Sequence, residues 1–195
     1  MDRIMKDNDA IDSTEDRERL HQLLRDRSLR RGEFVLASGK HSNYYIDARL
    51  TTMSGEGQLT IGRIALIEMH AHGWIPTHVG GLTLGADPVA YAIAHTAAMS
   101  GRPIDAFTVR KETKTHGTGR LIEGADLSGA KVVVVEDVIT TGDSARRAIA
   151  AVREAGATVL GVLAVVDRNE GGREALEAEG HSVIALSTAE ELLRA

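Results

Sequence analysis

The sequence has no cysteine, which excludes a disulfide framework and any thiolate metal site. Aromatic residues make up only 3% of the chain, and that argues against a stacking platform for single-stranded nucleic acid. Positive charge is in the minority, with 23 Lys and Arg facing 28 Asp and Glu for a net −5. A general polyanion-binding surface is therefore not expected, and any phosphate site has to be local. No apolar run approaches the length of a membrane span. The charged segment 1–18 has no apolar signal core. The eight histidines show no His-Glu-x-x-His spacing, so no dedicated transition-metal site is indicated. A Gly-x-x-x-x-Gly-Lys-Ser/Thr loop and a Gly-x-Gly-x-x-Gly fingerprint are both missing, which sets aside the P-loop and dinucleotide-binding readings. The expectation is a cytoplasmic protein with neither a membrane nor a nucleic-acid partner.

The chain does have 195 residues, 43% of them hydrophobic, enough for one α/β domain with a substantial core. Residues 1–14 are polar and read as a flexible tail, and 15–195 read as a single domain. A helix is expected over 14–29, then a hairpin in which Phe34-Val-Leu and Tyr44-Tyr-Ile flank a polar turn. Helices are predicted over 57–72, 88–99, 145–154 and 171–179, with a short one after Ser187. Strands are predicted at 77–81, 104–109, 132–136, 158–166 and 182–186. Strands alternating with helices imply a mostly parallel, doubly wound sheet. The hairpin interrupts that alternation and reads as a hood over one face.

The most informative segment is Lys-Val-Val-Val-Val-Glu-Asp-Val-Ile-Thr-Thr-Gly-Asp-Ser, residues 131–144. Its β-branched run fits a strand buried on both faces. In open α/β sheets, ligands bind outside the carboxyl ends of the strands, where Glu136 and Asp137 stand. The loop from Thr140 to Ser144 then leads into a helix, whose free N–H groups and positive dipole end suit a phosphate. Gly142 permits a positive φ or a close backbone approach. Two acids beside a phosphate cradle point to a ligand with a phosphate and vicinal hydroxyls, such as a ribose phosphate. A second segment, Arg110 to Arg120, holds Arg110, Lys111, Lys114, His116, Gly117 and Gly119. It reads either as a cationic loop that closes over a polyanion or as a solvated surface loop.

The segment 132–142 resembles the phosphoribosyl-pyrophosphate (PRPP) motif of type I phosphoribosyltransferases. Arg-Lys-x-x-Lys-x-His-Gly at 110–117 resembles the loop of the orotate phosphoribosyltransferases within that family. Ser-Gly-x-x-Ser-x-Tyr-Tyr at 38–45 is similar to their hood, and Asp-Arg-x-x-Gly-Gly at 167–172 to the end of one of their strands. The likeness spans about residues 20–190. It implies the type I phosphoribosyltransferase fold, with a hood over about 20–50 and a flexible catalytic loop. It implies transfer of phosphoribose from PRPP to orotate, with Mg²⁺ held mainly through PRPP. By this resemblance the PRPP site comprises Arg110, Lys111, Lys114, His116, Glu136, Asp137, Val138, Ile139, Thr140, Thr141, Gly142, Asp143 and Ser144. Lys114, His116 and Asp137 are the expected catalytic residues. Tyr45, Ile46, Thr140 and Arg168 are the expected orotate contacts, with Arg168 on the carboxylate. Gly80-Gly-Leu-Thr-Leu-Gly resembles the pyrophosphate loop. The resemblance also implies a homodimer whose 110–120 loop is shared between subunits. Two departures stand out: the family often has Lys where Ala37 and Leu84 stand, and Lys40 is a candidate to offset the first. A purine-type phosphoribosyltransferase and a non-catalytic PRPP sensor are the alternatives.

Overall fold

The computed structural model describes residues 13–35, 39, 41–112 and 121–194. Lys114, His116, Ala37 and Lys40, like the tail 1–12, lie outside the described residues.

Helix α1 (Ser13–Leu23) passes through a π-turn at 24–28 into strand β1 (Leu29–Val35), which pairs antiparallel with β2 (His41–Ile46). This is the expected hairpin. Two helices follow, α2 (Arg49–Thr52) and α3 (Gly55–Ala71). The Ser54 hydroxyl caps α3 by accepting from the Gly57 N–H. Then come β3 (His78–Leu82), α4 (Ala86–Met99), β4 (Asp105–Val109) and β5 (Ile122–Glu123). The rest of the chain alternates β6 (Lys131–Ile139), α5 (Asp143–Glu154), β7 (Thr158–Asp167), α6 (Gly172–Ala178), β8 (Val183–Thr188) and α7 (Ala189–Leu193).

The main sheet has the order β5-β4-β3-β6-β7-β8. Every pairing is parallel except β4 with β5. From β3 the chain winds outward one way, through α4 to β4. From β6 it winds the other way, through α5 and α6 to β8. Right-handed crossovers therefore place α4 on one face and α5 and α6 on the other. The two cores reflect this arrangement. One joins Ile61, Ile64, Val89 and Ile93 to Val133 and Val135. The other joins Ala148, Ile149, Val152 and Leu176 to Val132 and Val134. Successive strand residues face opposite sides, so four consecutive valines are needed to feed both cores.

Four details differ from the sequence reading. The first hairpin strand starts at Leu29, five residues before Phe34, because Leu29 to Arg31 already pair with β2. Strand β6 continues through both acids to Ile139, because Val138 and Ile139 pair with Val166 and Asp167 of β7. Just past the segment 110–120, where no strand was predicted, lies the short strand β5, paired with Thr108 and Val109. Helix α2 occupies a stretch where no element was expected.

Candidate active site

The winding reverses between β3 and β6, so the carboxyl ends of those strands diverge into a crevice, the place where such sheets bind ligands. Three chain segments meet there. After β3 come Thr83, Leu84 and Gly85, and the Thr83–Leu84 peptide is cis. The Thr83 hydroxyl donates to Asp87 at 2.6 Å, and the Thr108 hydroxyl donates to the same carboxylate at 2.8 Å. Asp87 thereby ties the first turn of α4 to β4. The Thr83 N–H is taken by the Val109 carbonyl. A Cβ on Gly85 would lie 2.4 Å from an Asp137 carboxylate oxygen, so glycine is what lets this loop rest against Asp137.

At the end of β6, Glu136 is buried and its Oε1 has no partner among the described residues. Burial, reinforced by the neighbouring Asp137 carboxylate, pushes Glu136 up to about 8. Burial also raises Asp137, while the Val138 N–H, donating at 2.9 Å, and the Arg49 guanidinium pull it back down. Of the two adjacent acids, Glu136 thus keeps a buried oxygen without a donor, while Asp137 has the Val138 N–H.

Past Ile139 the chain turns at Gly142, whose φ is 83°, and enters α5. The loop is seated on the β7–α6 connection, since a Cβ on Gly172 would lie 2.3 Å from the Thr140 carbonyl. The Thr141 hydroxyl donates to Asp143 at 2.9 Å, and Arg146 donates to the Thr141 carbonyl and to Asp143. The Asp143 carboxylate is thus engaged by Thr141 and Arg146, and the Asp143 N–H makes only a long bond to the Thr141 hydroxyl at 3.4 Å. Gly142 to Ser144 present the amino end of a twelve-residue helix, a ready anion site.

The cationic segment is described only at its start. Arg110 donates its N–H to the Leu121 carbonyl at 2.8 Å and pairs with Glu123 at 3.2 Å. Arg147 of α5 donates to the Lys111 carbonyl at 2.7 Å. The second contact holds the root of the segment against α5.

Arg168 follows β7, and its N–H donates to the Ile139 carbonyl at 3.0 Å. Its side chain is buried, lies 5.2 Å from the Tyr44 ring centroid and pairs with Glu170 at 2.8 Å. Arg168 is thus no solvated surface residue, although it does use Glu170. Its Nε is buried without a partner among the described residues. A cavity of about 510 Å³ opens here, lined by Tyr44, Arg168, Asn169, Ala189, Glu190, Leu193 and Arg194.

The structure brings Glu136, Asp137, Val138, Ile139, the 140–144 loop and Arg168 together on adjacent strand ends. Ile46 is buried in the core and has only backbone to offer a ligand. Tyr45 is half-exposed and tilted against Phe34, 5.7 Å between centroids. Tyr44, on the other face of β2, is the ring that meets Arg168. The alternation of strand residues was the signal for it, but which ring faces inward depends on the hairpin's packing. Arg49, also not singled out from the sequence, lies within electrostatic range of Asp137 and Tyr45.

Comparison with known proteins agrees with this geometry. The family model of the phosphoribosyl transferase domain matches residues 58–183. The orotate phosphoribosyltransferase of Mycobacterium avium (strain 104) is 51% identical over 173 residues, covering 87% of this chain and 94% of its own. Orotate phosphoribosyltransferase of Mycobacterium tuberculosis H37Rv, solved in complex with Fe(III) dicitrate, superposes with a TM-score of 0.80 at 47% identity. The same protein in complex with PRPP superposes with a TM-score of 0.76 at 45% identity. Each structure covers 91% of this chain and 98% of its own.

Proposed function

The chain belongs to the orotate phosphoribosyltransferase family, and from that premise we propose that it transfers the phosphoribosyl group of PRPP to orotate, giving orotidine 5'-monophosphate and pyrophosphate. It is a pentosyltransferase, and its product lies on the route to UMP. The observation that carries the reading is the crevice between β3 and β6. There, Glu136 with its bare buried oxygen and the adjacent Asp137 stand beside the amino end of α5, with buried Arg168 on the next strand.

The groups of the crevice match PRPP from one end to the other. Its 5-phosphate lies on the N–H groups of Gly142 to Ser144, and its 2- and 3-hydroxyls donate to Glu136 and Asp137. These hydroxyls satisfy the bare Glu136 oxygen and favour the charged form of both acids. As the bond from C1 to pyrophosphate breaks, positive charge grows on the sugar, and the two fixed carboxylates stabilise it. Arg168 offers its fork to the orotate carboxylate. Lys114 and His116 meet the departing pyrophosphate, together with Arg110 and Lys111. Asp137, only partly buried, offers a carboxylate that suits a hard cation. Asp137 would help hold Mg²⁺, with most of its ligands coming from PRPP, and the ion would neutralise leaving-group charge. The working form is a homodimer in the cytoplasm, with the 110–120 loop reaching the partner's site. No helix among the described residues is long and apolar enough to cross a membrane.

The test is to mix the purified protein with PRPP, Mg²⁺ and orotate and follow orotate absorbance. Loss of absorbance that needs all three, and that adenine, guanine and xanthine do not reproduce in parallel assays, is the expected result. Turnover of a purine, or PRPP binding with no turnover of any base, would overturn the reading.

A further inference from the structure

Arg49 opens α2 and stands at the edge of the crevice where Leu84 follows β3. Its side chain is bound on one edge only. Nε and Nη2 donate to the two oxygens of Asp47 at 2.8 and 2.9 Å, and the Arg49 N–H reaches the same carboxylate at 3.2 Å. Nη1 makes no hydrogen bond among the described residues. The side chain is 46% exposed, so Asp47 fixes the plane of the guanidinium while leaving donors for another anion. It lines a cavity of about 400 Å³ with Leu50, Met53, Ser54 and Leu84. Leu84 precedes Gly85, which lies against Asp137, and Arg49 is close enough to act on the Asp137 charge. Leu84 itself is 51% exposed and brings no charge to this edge.

The direction of the ligand follows from the two ends of the crevice. With the 5-phosphate on α5 and the ribose hydroxyls on Glu136 and Asp137, C1 and its pyrophosphate point away from α5, toward Leu84 and Arg49. We propose that Arg49, oriented by Asp47, is a fixed cation for the pyrophosphate end of PRPP, on the side of the crevice that Leu84 leaves uncharged. This assignment rests on the reading of function above and adds a residue to it. A half-exposed ion pair on its own contributes little to stability, whereas a guanidinium already held in place binds an anion with less loss of freedom.

Calorimetric titration of inorganic pyrophosphate with Mg²⁺, without PRPP or orotate, tests it on the wild-type protein and on Arg49→Gln. The KM for PRPP and the KM for orotate are read beside it. The variant should bind pyrophosphate about tenfold more weakly or worse, the scale of a lost charge-assisted hydrogen bond. The KM for PRPP should rise in step while that for orotate stays within about twofold. Leu84→Lys in the Arg49→Gln background should restore part of the pyrophosphate affinity. Unchanged affinity in Arg49→Gln would overturn the assignment. So would equal weakening toward orotate and pyrophosphate, the mark of a merely structural prop, or a wild-type protein that binds no pyrophosphate. Arg49→Met gives the same reading if the Gln variant does not fold. A wild-type protein that binds pyrophosphate without turning over orotate would remove the proposed function alone, and the titration would still decide Arg49.

Discussion

Glu136 is the residue whose surroundings agree least with its charge. Its carboxyl moves from 4.5 when unfolded to about 8 when buried, so between those pH values the folded state holds a proton that the unfolded state has lost. By linkage, stability then falls as pH rises through this window. The ligand-free protein should unfold more readily at pH 8 than at pH 5, and Glu136→Gln should flatten that slope. The difference between the two proteins at pH 8 is expected to be on the order of a few kcal/mol, read from denaturant midpoints across the pH range. Asp137 gives the complementary prediction. Asp137→Asn keeps the shape and removes the charge facing C1, and kcat/KM should drop by about a hundredfold with the thermal midpoint unchanged or higher. Steady-state kinetics on orotate and PRPP, beside a melting curve, check both halves. Glu136 and Asp137 were legible from the sequence because they sit contiguously at the end of a valine run. Tyr44 and Arg49 were not, since their roles depend on how the hairpin and α2 pack, which no local period encodes.

At the scale of elements, β6 and α5 form the working unit and Gly142 is its joint. With φ at 83°, an L side chain there is strained by about 1–2 kcal/mol. A Cβ would also sit 3.1 Å from the Gly172 carbonyl. Gly142→Ala should therefore lose stability on that scale in urea titrations and bind PRPP more weakly, because the N–H groups of the cradle move. Full stability and unchanged PRPP affinity would show that the turn is not needed. The strands and longer helices could be read from β-branched runs and apolar spacing. The extension of β6 to Ile139 could not, because pairing with β7 creates it. Helix α2 and strand β5 are shorter than any periodicity can mark.

For the whole molecule, the sheet order and the reversal between β3 and β6 follow from no single stretch of sequence, yet they decide where every strand-end residue converges. The proposed loop sharing can be tested at this scale. Lys114→Ala and Asp137→Asn each disable a site, but a mixed dimer has one site with Asp137 intact that is served by an intact loop from the partner. Co-refolding equal amounts of the two variants should recover about a quarter of the wild-type activity, given random pairing in a two-fold dimer. No recovery, or sedimentation as a monomer, would speak against a shared loop. The boundary between β6 and β7 has one more consequence. The proposed grip on ribose and 5-phosphate belongs to β6 and α5, while Arg168 and the Tyr44 ring belong to β7 and the hairpin. Giver and receiver are thus held by different stretches of chain. A lineage that rewrote the hairpin and the residues after β7 would be free to change what is built without relearning how to hold the building block.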